Sequence, residues 1–70
     1  MSKLIFCNYE VVISTEDRFI EGESVNIKYY DCLTARQKGR SLSRKVRYDN
    51  EAGDLYIRVE GKKYFYSEFK

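Results

Sequence analysis

The sequence lacks histidine, proline and tryptophan, and it has only two cysteines among its 70 residues. Without histidine, the chain has no imidazole to act as a general base, as a metal ligand or as the partner of a nucleophilic serine or cysteine. Two cysteines cannot supply the four ligands of a zinc site within one chain. The four glycines stand singly, so there is no glycine-rich loop to bind a phosphate. We therefore expect a protein that is not an enzyme and uses no metal or cofactor.

Long hydrophobic runs are also missing. No stretch approaches the roughly 20 apolar residues that cross a bilayer, and the first residues do not have the pattern of a secretion signal. These features predict a cytoplasmic protein that does not contact a membrane. In that compartment Cys7 and Cys32 are expected to be two reduced, buried thiols, and a single disulfide between them is the alternative.

The residues that are present fit one small folded domain spanning residues 1–70. The chain is 43% hydrophobic and 34% charged, which is typical of a globular domain and not of a disordered segment. Aromatic residues make up 16% of it, with seven tyrosines and four phenylalanines. Large rings fill volume that so short a chain could not otherwise fill.

Alternating apolar and polar residues predict three strands in the second half of the chain, at residues 41–48, 55–59 and 63–69. The polar run at residues 49–54 is rich in residues that tolerate turn geometry and therefore predicts a turn. Its acids lack the spacing of a calcium-binding loop. Glu60 and Gly61 form the sequence of a two-residue hairpin loop, in which the glycine supplies a positive φ.

The first half is read in the same way. Residues 3–14 form a strand region whose apolar residues change parity midway, which predicts a bulge, a bend or a short turn. Val25, Ile27 and Tyr29 alternate and predict a second strand. Residues 30–36 fit either a short helix or an extension of that strand. The strand is favoured, because tyrosine, cysteine and threonine are poor helix formers.

These elements predict an all-β protein with about five short strands. The expected architecture is a small antiparallel five-stranded SH3-like barrel or a strongly twisted meander, with at most one short helical turn. A meander packed on one short helix is the alternative.

Basic residues concentrate in the second half of the chain. Residues 1–35 have three basic and six acidic residues, a formal charge of −3, whereas residues 36–70 have ten basic and five acidic residues, a charge of +5. Residues 36–47, the basic window, contain six cations and no acid: Arg36, Lys38, Arg40, Arg44, Lys45 and Arg47. We expect Lys38 and Arg40 at the tip of a turn, and Lys45 and Arg47 on the outer face of the strand that follows.

The basic window predicts contact with an anionic ligand, most plainly the backbone of a nucleic acid. The predicted binding residues are the six cations and three tyrosines that are expected to be exposed and to stack on bases: Tyr56, Tyr64 and Tyr66. The alternative is a solvated basic face that pairs with the acidic first half, within one molecule or between copies.

A second function hypothesis starts from the aromatic run at residues 64–69. As an edge strand it could add to the sheet of a protein partner or of a second copy. The sequence therefore predicts a binding module, with nucleic acid as the first candidate ligand and a protein partner or homodimer as the second.

The chain resembles an uncharacterised family of small bacterial β-domains, often encoded on mobile elements and phages, at residues 31–33, at the basic turn around Gly39, and at residues 44–49 and 55–57. The sequence departs from the family pattern in three ways. The family pattern has a Gly-Asp-x-Leu run, a turn, an Arg-x-Glu-Tyr-Asp-like strand and a Trp-Tyr-Leu strand. In this chain the tryptophan is absent, Tyr30 stands where the pattern has glycine, and Arg47 stands where it has glutamate.

This resemblance covers roughly residues 30–60. It implies an SH3-like β-fold and a bacterial cytoplasmic context. It implies no activity, because the function of the family is itself unknown.

Overall fold

The computed structural model describes residues 3–32 and 39–69, which form seven β-strands and one 3-10 turn. In chain order these are β1 (Leu4–Cys7), β2 (Val11–Thr15), β3 (Ser24–Asp31), β4 (Arg40–Lys45), β5 (Arg47–Asp49), β6 (Asp54–Val59), β7 (Lys62–Phe65) and the turn Tyr66–Glu68. The all-β class is confirmed. Most of the segment that fits either a helix or a strand lies outside the described residues, as do Arg36 and Lys38.

The strands form two antiparallel sheets, each of them a simple meander. The first sheet has the order β1-β2-β3-β4 and the second has the order β5-β6-β7. Within the described ranges no hydrogen-bonded strand pair joins the two sheets. The structure thus has seven strands where about five were predicted, and a closed SH3-like barrel is not confirmed.

One shared core lies between the sheets. Its members are buried apolar and aromatic side chains from both sheets, from the single residue between β4 and β5, and from the segments that follow β2 and β7: Val11, Ile13, Phe19, Val25, Ile27, Tyr29, Val46, Ile57, Val59, Tyr64 and Phe69. The predicted alternation in β3 and β6 is confirmed, because every second residue of those strands enters this core. Burial of these side chains is the main favourable term for so small a domain.

Residues 41–48 were predicted to be one strand, and this is wrong at Val46. β4 ends at Lys45 and β5 begins at Arg47, each in a different sheet. The Val46 N–H donates to the Glu23 carbonyl and the Val46 carbonyl accepts from the Gly22 N–H, both at 2.9 Å. These bonds to the β2–β3 loop hold Val46 between the sheets with its side chain only 1% exposed.

The parity change in residues 3–14 proves to be a short turn between β1 and β2. The Asn8 side-chain oxygen accepts hydrogen bonds from the N–H groups of Glu10 (2.7 Å) and Val11 (2.8 Å). An asparagine side chain that binds the backbone ahead of it stabilises a turn in place of a continued strand.

The two predicted turns in the second half are confirmed. Glu60 (φ 53°) and Gly61 (φ 78°) both have positive φ, as a two-residue hairpin loop between twisted strands requires. At the start of the other turn, the Asp49 carboxylate accepts from the N–H groups of Glu51 (2.9 Å) and Ala52 (3.1 Å).

The predicted strand at residues 63–69 is wrong in its last part. β7 ends at Phe65, because the Glu68 carboxylate accepts the Phe65 N–H (3.1 Å) and closes a 3-10 turn. Asp54 holds the same turn by accepting the Ser67 N–H (3.0 Å). The turn brings Phe69 into the core, where its ring contacts those of Phe6 and Phe19.

Both cysteines are free, but the prediction that they are buried is wrong. Cys7 takes an outward-facing position on β1, which is an edge strand, and Cys32 directly follows β3. In the part of the chain that the structure describes, no helix is long and apolar enough to cross a membrane.

Candidate nucleic-acid interface

The bend at Val46 divides the basic window between two sheets. Arg40 and Arg44 lie opposite core residues of β3, on the side of β4 that faces the second sheet. Lys45 and Arg47 are exposed on either side of the bend. The four described cations of the window therefore do not share one surface.

Arg40 does not project from a turn tip as predicted. It starts β4 opposite Tyr29, and its guanidinium lies 5.3 Å from the centre of that ring. The same guanidinium pairs with the Glu60 carboxylate at 2.6 Å. Arg40 is therefore engaged within the molecule, by a residue twenty positions later in the chain.

Lys45 and Arg47 meet at a surface depression of about 270 Å³, which we call the Arg47 depression. Tyr48 and Tyr56 also line it, and its single carboxylate belongs to Glu21. Tyr48 is 47% exposed, because β5 is a three-residue edge strand at the border of the core. The depression thus joins three predicted site residues, Lys45, Arg47 and Tyr56, to an exposed ring.

The outer face of the second sheet extends this surface. Arg47, Tyr56 and Phe65 are cross-strand neighbours in one row of the three strands, and Arg58 pairs with Lys63 in the next. Cross-strand neighbours and alternate residues of a strand project from the same side of a sheet. We call these five residues the aromatic–basic face; the paired Asp49 and Asp54 lie at one end of the same side of the sheet.

Rings and cations contact one another on this face. The Tyr56 and Phe65 ring centres are 5.7 Å apart, with the planes tilted by 53°. The Lys63 ammonium lies 4.9 Å from the centre of the Tyr56 ring and 3.0 Å from Asp49 Oδ2. Lys63 therefore extends diagonally over Tyr56, from β7 at one edge of the sheet to β5 at the other.

The carboxylates beside this face already have partners. The hydrogen bond from Lys63 is the main reason that the pKa of Asp49 is lowered, and the Ala52 and Glu51 N–H groups add to it. The pKa of Asp54 is lowered because that carboxylate accepts hydrogen bonds from Ser67 and from the Leu55 N–H. Both carboxylates thus accept hydrogen bonds that stabilise the turns flanking the sheet.

The ion pairs between described residues are Arg40–Glu60, Lys62–Glu10 (3.5 Å) and Lys63–Asp49. Of these three pairs between described residues, Lys62–Glu10 alone joins the acidic first half to the basic second half, and Lys62 is outside the basic window. Within the described ranges Arg47 and Arg58 have no ion-pair partner. The cations of the aromatic–basic face are therefore not neutralised by the first half of the chain.

All three predicted stacking tyrosines are less exposed than expected, and Tyr56, on the outer face of β6, is half-buried. Tyr64 is 4% exposed, so the prediction that it is exposed is wrong: its ring makes an edge contact with Phe6 at 4.7 Å, and burial raises its pKa. Tyr66 is half-buried against Phe19, 5.0 Å between ring centres. Both follow from the packing of β7 and its 3-10 turn onto the core.

Sequence reasoning missed Arg58, Lys63 and Phe65. Their signal was available in the alternation of β6 and β7, which places them on the same parity as Tyr56 once the Glu60–Gly61 hairpin sets the register. The sequence did not show that Arg47 lies on the same face, because residues 41–48 were predicted to be one strand without a bend at Val46.

A second depression of about 450 Å³ lies on the first sheet, and we call it the Lys28 depression. Lys3, Lys28 and Tyr30 line it together with two acids, Glu16 and Asp17. It has the same kinds of residue as the Arg47 depression, but its formal charges balance.

Fold and surface together define a small two-sheet β-domain with an aromatic, basic sheet face. No protein-family profile, curated protein or solved structure matches the chain. In residues 3–32 and 39–69, no three carboxylates or thiols are grouped so as to hold a metal ion.

Proposed function

We propose that the protein is a non-catalytic β-module that binds nucleic acid through the aromatic–basic face of its second sheet. The observation that supports this most directly is the presence of Arg47, Arg58 and Lys63 around the Tyr56 and Phe65 rings on one sheet surface. Cations beside rings on a sheet surface match the charge of a phosphate backbone and the π-faces of bases.

The pairing of Arg58 with Lys63 adds a second argument. Like charges directly opposite each other on neighbouring strands are destabilising, so this pair is unfavourable for folding alone. The ion pair between Lys63 and Asp49 offsets part of this repulsion. An anionic ligand that bridges the two cations would remove the rest.

The Arg47 depression extends the surface toward β4 and supplies Lys45 as a further cation. A phosphate placed there would lie between Lys45 and Arg47, next to the Tyr56 ring. The proposed site therefore keeps Lys45, Arg47 and Tyr56 from the sequence prediction, adds Arg58, Lys63 and Phe65, and leaves out Arg40, Tyr64 and Tyr66.

The same proposal covers the cellular compartment of the protein and the class of fold to which it is related. A cytoplasmic β-module related to small bacterial domains of mobile elements and phages would have ready access to nucleic acid. The two-sheet meander would then be a relative of the SH3-like class that has opened at the junction between β4 and β5.

To test the proposal, labelled DNA and RNA oligonucleotides are titrated with the protein at rising salt. With about three phosphates neutralised, the logarithm of the affinity should fall against the logarithm of the salt concentration with a slope of about −2. The double variant Arg47→Gln/Arg58→Gln should bind about ten-fold more weakly and show a shallower slope.

The matched control is Lys3→Gln/Lys28→Gln, which removes the same charge from the Lys28 depression. It should lower affinity far less than the Arg47→Gln/Arg58→Gln variant. Equal losses for the two pairs would mean that only net charge matters, and no binding of any oligonucleotide at low salt would overturn the proposal.

Self-association through the aromatic run is the other candidate function, since β7 is an edge strand of the second sheet. The strand has only four residues, two of them lysines, and its Phe65 N–H is bound by Glu68. Short, charged edges of this kind resist pairing with another sheet. Sedimentation over a range of concentrations should therefore show a monomer, and a concentration-dependent dimer would favour this second function.

A further inference from the structure

We propose further that the ligand is a single-stranded nucleic acid, one base of which stacks on Tyr56 in the place now taken by the Lys63 ammonium. This inference rests on the proposed function and makes it more specific. It names the form of nucleic acid, the ring that receives a base, and the side chain that must move.

The position of Lys63 is the starting point. Its Cα is paired with Arg58, yet its ammonium reaches Asp49, which belongs to the opposite edge strand. On the way it crosses the Tyr56 ring at 4.9 Å. The side chain therefore covers the ring face on which a base would stack.

This cover is easily removed. The Lys63 side chain is 39% exposed and that of Asp49 is 15% exposed, so their ion pair is partly open to solvent and is weakened by salt. A lysine has a flexible four-carbon stem and can redirect its ammonium without any change of backbone. A base arriving on Tyr56 would replace a cation–π contact by a stacking contact.

The displaced ammonium has a new partner in the ligand itself. A base on Tyr56 brings the adjoining phosphates to the rim of the ring, within reach of a Lys63 released from Asp49. On the other side of Tyr56, Arg47 occupies the same row of the sheet and Lys45 lines the adjoining depression. Cations thus flank the Tyr56 ring on both sides.

A duplex cannot use this arrangement. Each base in a duplex is already stacked on both faces, whereas a single strand can turn a base onto a protein ring. The Phe65 ring lies beside the Tyr56 ring with its plane tilted by 53°. Phe65 therefore packs against Tyr56, and the two rings do not form one flat stacking surface. The site is therefore built for one principal stacked base.

Three ligands of equal length test the proposal: a single strand of about ten nucleotides, the matching duplex, and an abasic strand that retains the phosphates. The single strand should bind about ten-fold more tightly than the abasic strand. Tyr56→Leu should remove that difference, and Tyr56→Phe, which keeps the ring, should preserve it. Thermal unfolding of each variant verifies that the domain is folded.

A second variant pair tests the displacement of Lys63. Asp49→Asn can still accept the turn hydrogen bonds through its amide oxygen, but it no longer holds Lys63 by charge. It should bind the single strand about two- to five-fold more tightly, with a smaller gain for the abasic strand. Glu51→Gln removes the same charge from the same turn without a contact to Lys63, and it should affect both strands equally.

The outcomes separate this inference from the proposed function. If single strand, duplex and abasic strand bind equally through Arg47 and Arg58, the stacking inference is wrong and the nucleic-acid proposal stands. Equal gains for Asp49→Asn and Glu51→Gln would refute the displacement of Lys63. No binding of any of the three ligands would overturn both proposals.

Discussion

The two surface depressions have the same kinds of residue but not the same charge. The Lys28 depression has Lys3 and Lys28 beside Tyr30, and the Arg47 depression has Lys45 and Arg47 beside Tyr56. Two acids oppose the cations in the first, and one acid opposes them in the second. Only the second continues onto a sheet face with further cations and rings.

This difference teaches that lysines near a tyrosine do not by themselves form an anion site. The acids of the Lys28 depression come from the loop that follows β2, in the half of the chain with a charge of −3. Because a phosphate responds to the sum of nearby charges, the balanced depression should attract it weakly. The unbalanced one should attract it strongly.

The largest expected effect concerns the core that both surfaces share. Ile13 in the first sheet and Ile57 in the second are fully buried. Ile13→Ala or Ile57→Ala should each lower the free energy of unfolding by about 2–5 kcal/mol, because each leaves a cavity in one continuous core.

Urea unfolding monitored by tyrosine fluorescence and circular dichroism measures this loss. Both probes should report one transition in each variant. Separate transitions would contradict a shared core, since the two depressions would then belong to independently folding units.

The next effect is a gain of binding by the weaker surface. Neutralising the acids of the Lys28 depression with Glu16→Gln/Asp17→Asn should raise affinity for a single strand by about two- to five-fold, since an exposed charge is worth up to roughly 1 kcal/mol. The double variant should be measured in the Arg47→Gln/Arg58→Gln background, where the stronger surface no longer dominates. An unchanged affinity would show that charge balance is not what separates the two surfaces.

A smaller effect involves the acids that flank the aromatic–basic face. The pKa values of Asp49 and Asp54 are lowered by hydrogen bonds in the folded protein, so both carboxylates stabilise the fold at pH values above their unfolded pKa. This stability should be lost as the pH falls from about 4 through the lower folded pKa values.

Asp49→Asn/Asp54→Asn should therefore flatten the acid limb of a plot of unfolding free energy against pH. Thermal unfolding from about pH 6 down to pH 2 provides the measurement. A double variant that loses stability as steeply as the original protein would contradict this account of the two turns.

The smallest effect is expected for Arg40. Its ion pair with Glu60 joins side chains that are 58% and 51% exposed, so Arg40→Gln should change the free energy of unfolding by less than about 1 kcal/mol. It should also weaken nucleic-acid binding less than Arg58→Gln does, although both remove one positive charge. Equal losses of affinity for Arg40→Gln and Arg58→Gln would show that Arg40 belongs to the binding site.

Local signals in the sequence predicted much of the fold. Val25, Ile27 and Tyr29 alternate in β3 as expected, because side chains of any extended strand alternate between faces. The Glu60–Gly61 hairpin was predictable for a similar reason, since its conformation depends on two neighbouring residues. Within the proposed site, Lys45, Arg47 and Tyr56 were predicted from charge and ring content.

Contacts between distant segments decided what was not predicted. Val46 interrupts an otherwise regular strand because the loop at Gly22 and Glu23 binds its backbone. Tyr64 is buried because Phe6, from the start of the chain, packs on its ring. Neither partner can be identified from the residues next to Val46 or Tyr64.

The all-β class, the alternating strands, the tight turns and the excess of positive charge in the second half follow from the sequence alone, since each depends on neighbouring residues or on composition. Which cations share a surface depends on the packing of the two sheets. The bend at Val46 sends Arg40 toward Glu60 and places Arg47 beside Tyr56. Which side chains meet depends on how two sheets pack around a common core, and that packing is set by contacts far apart in the chain.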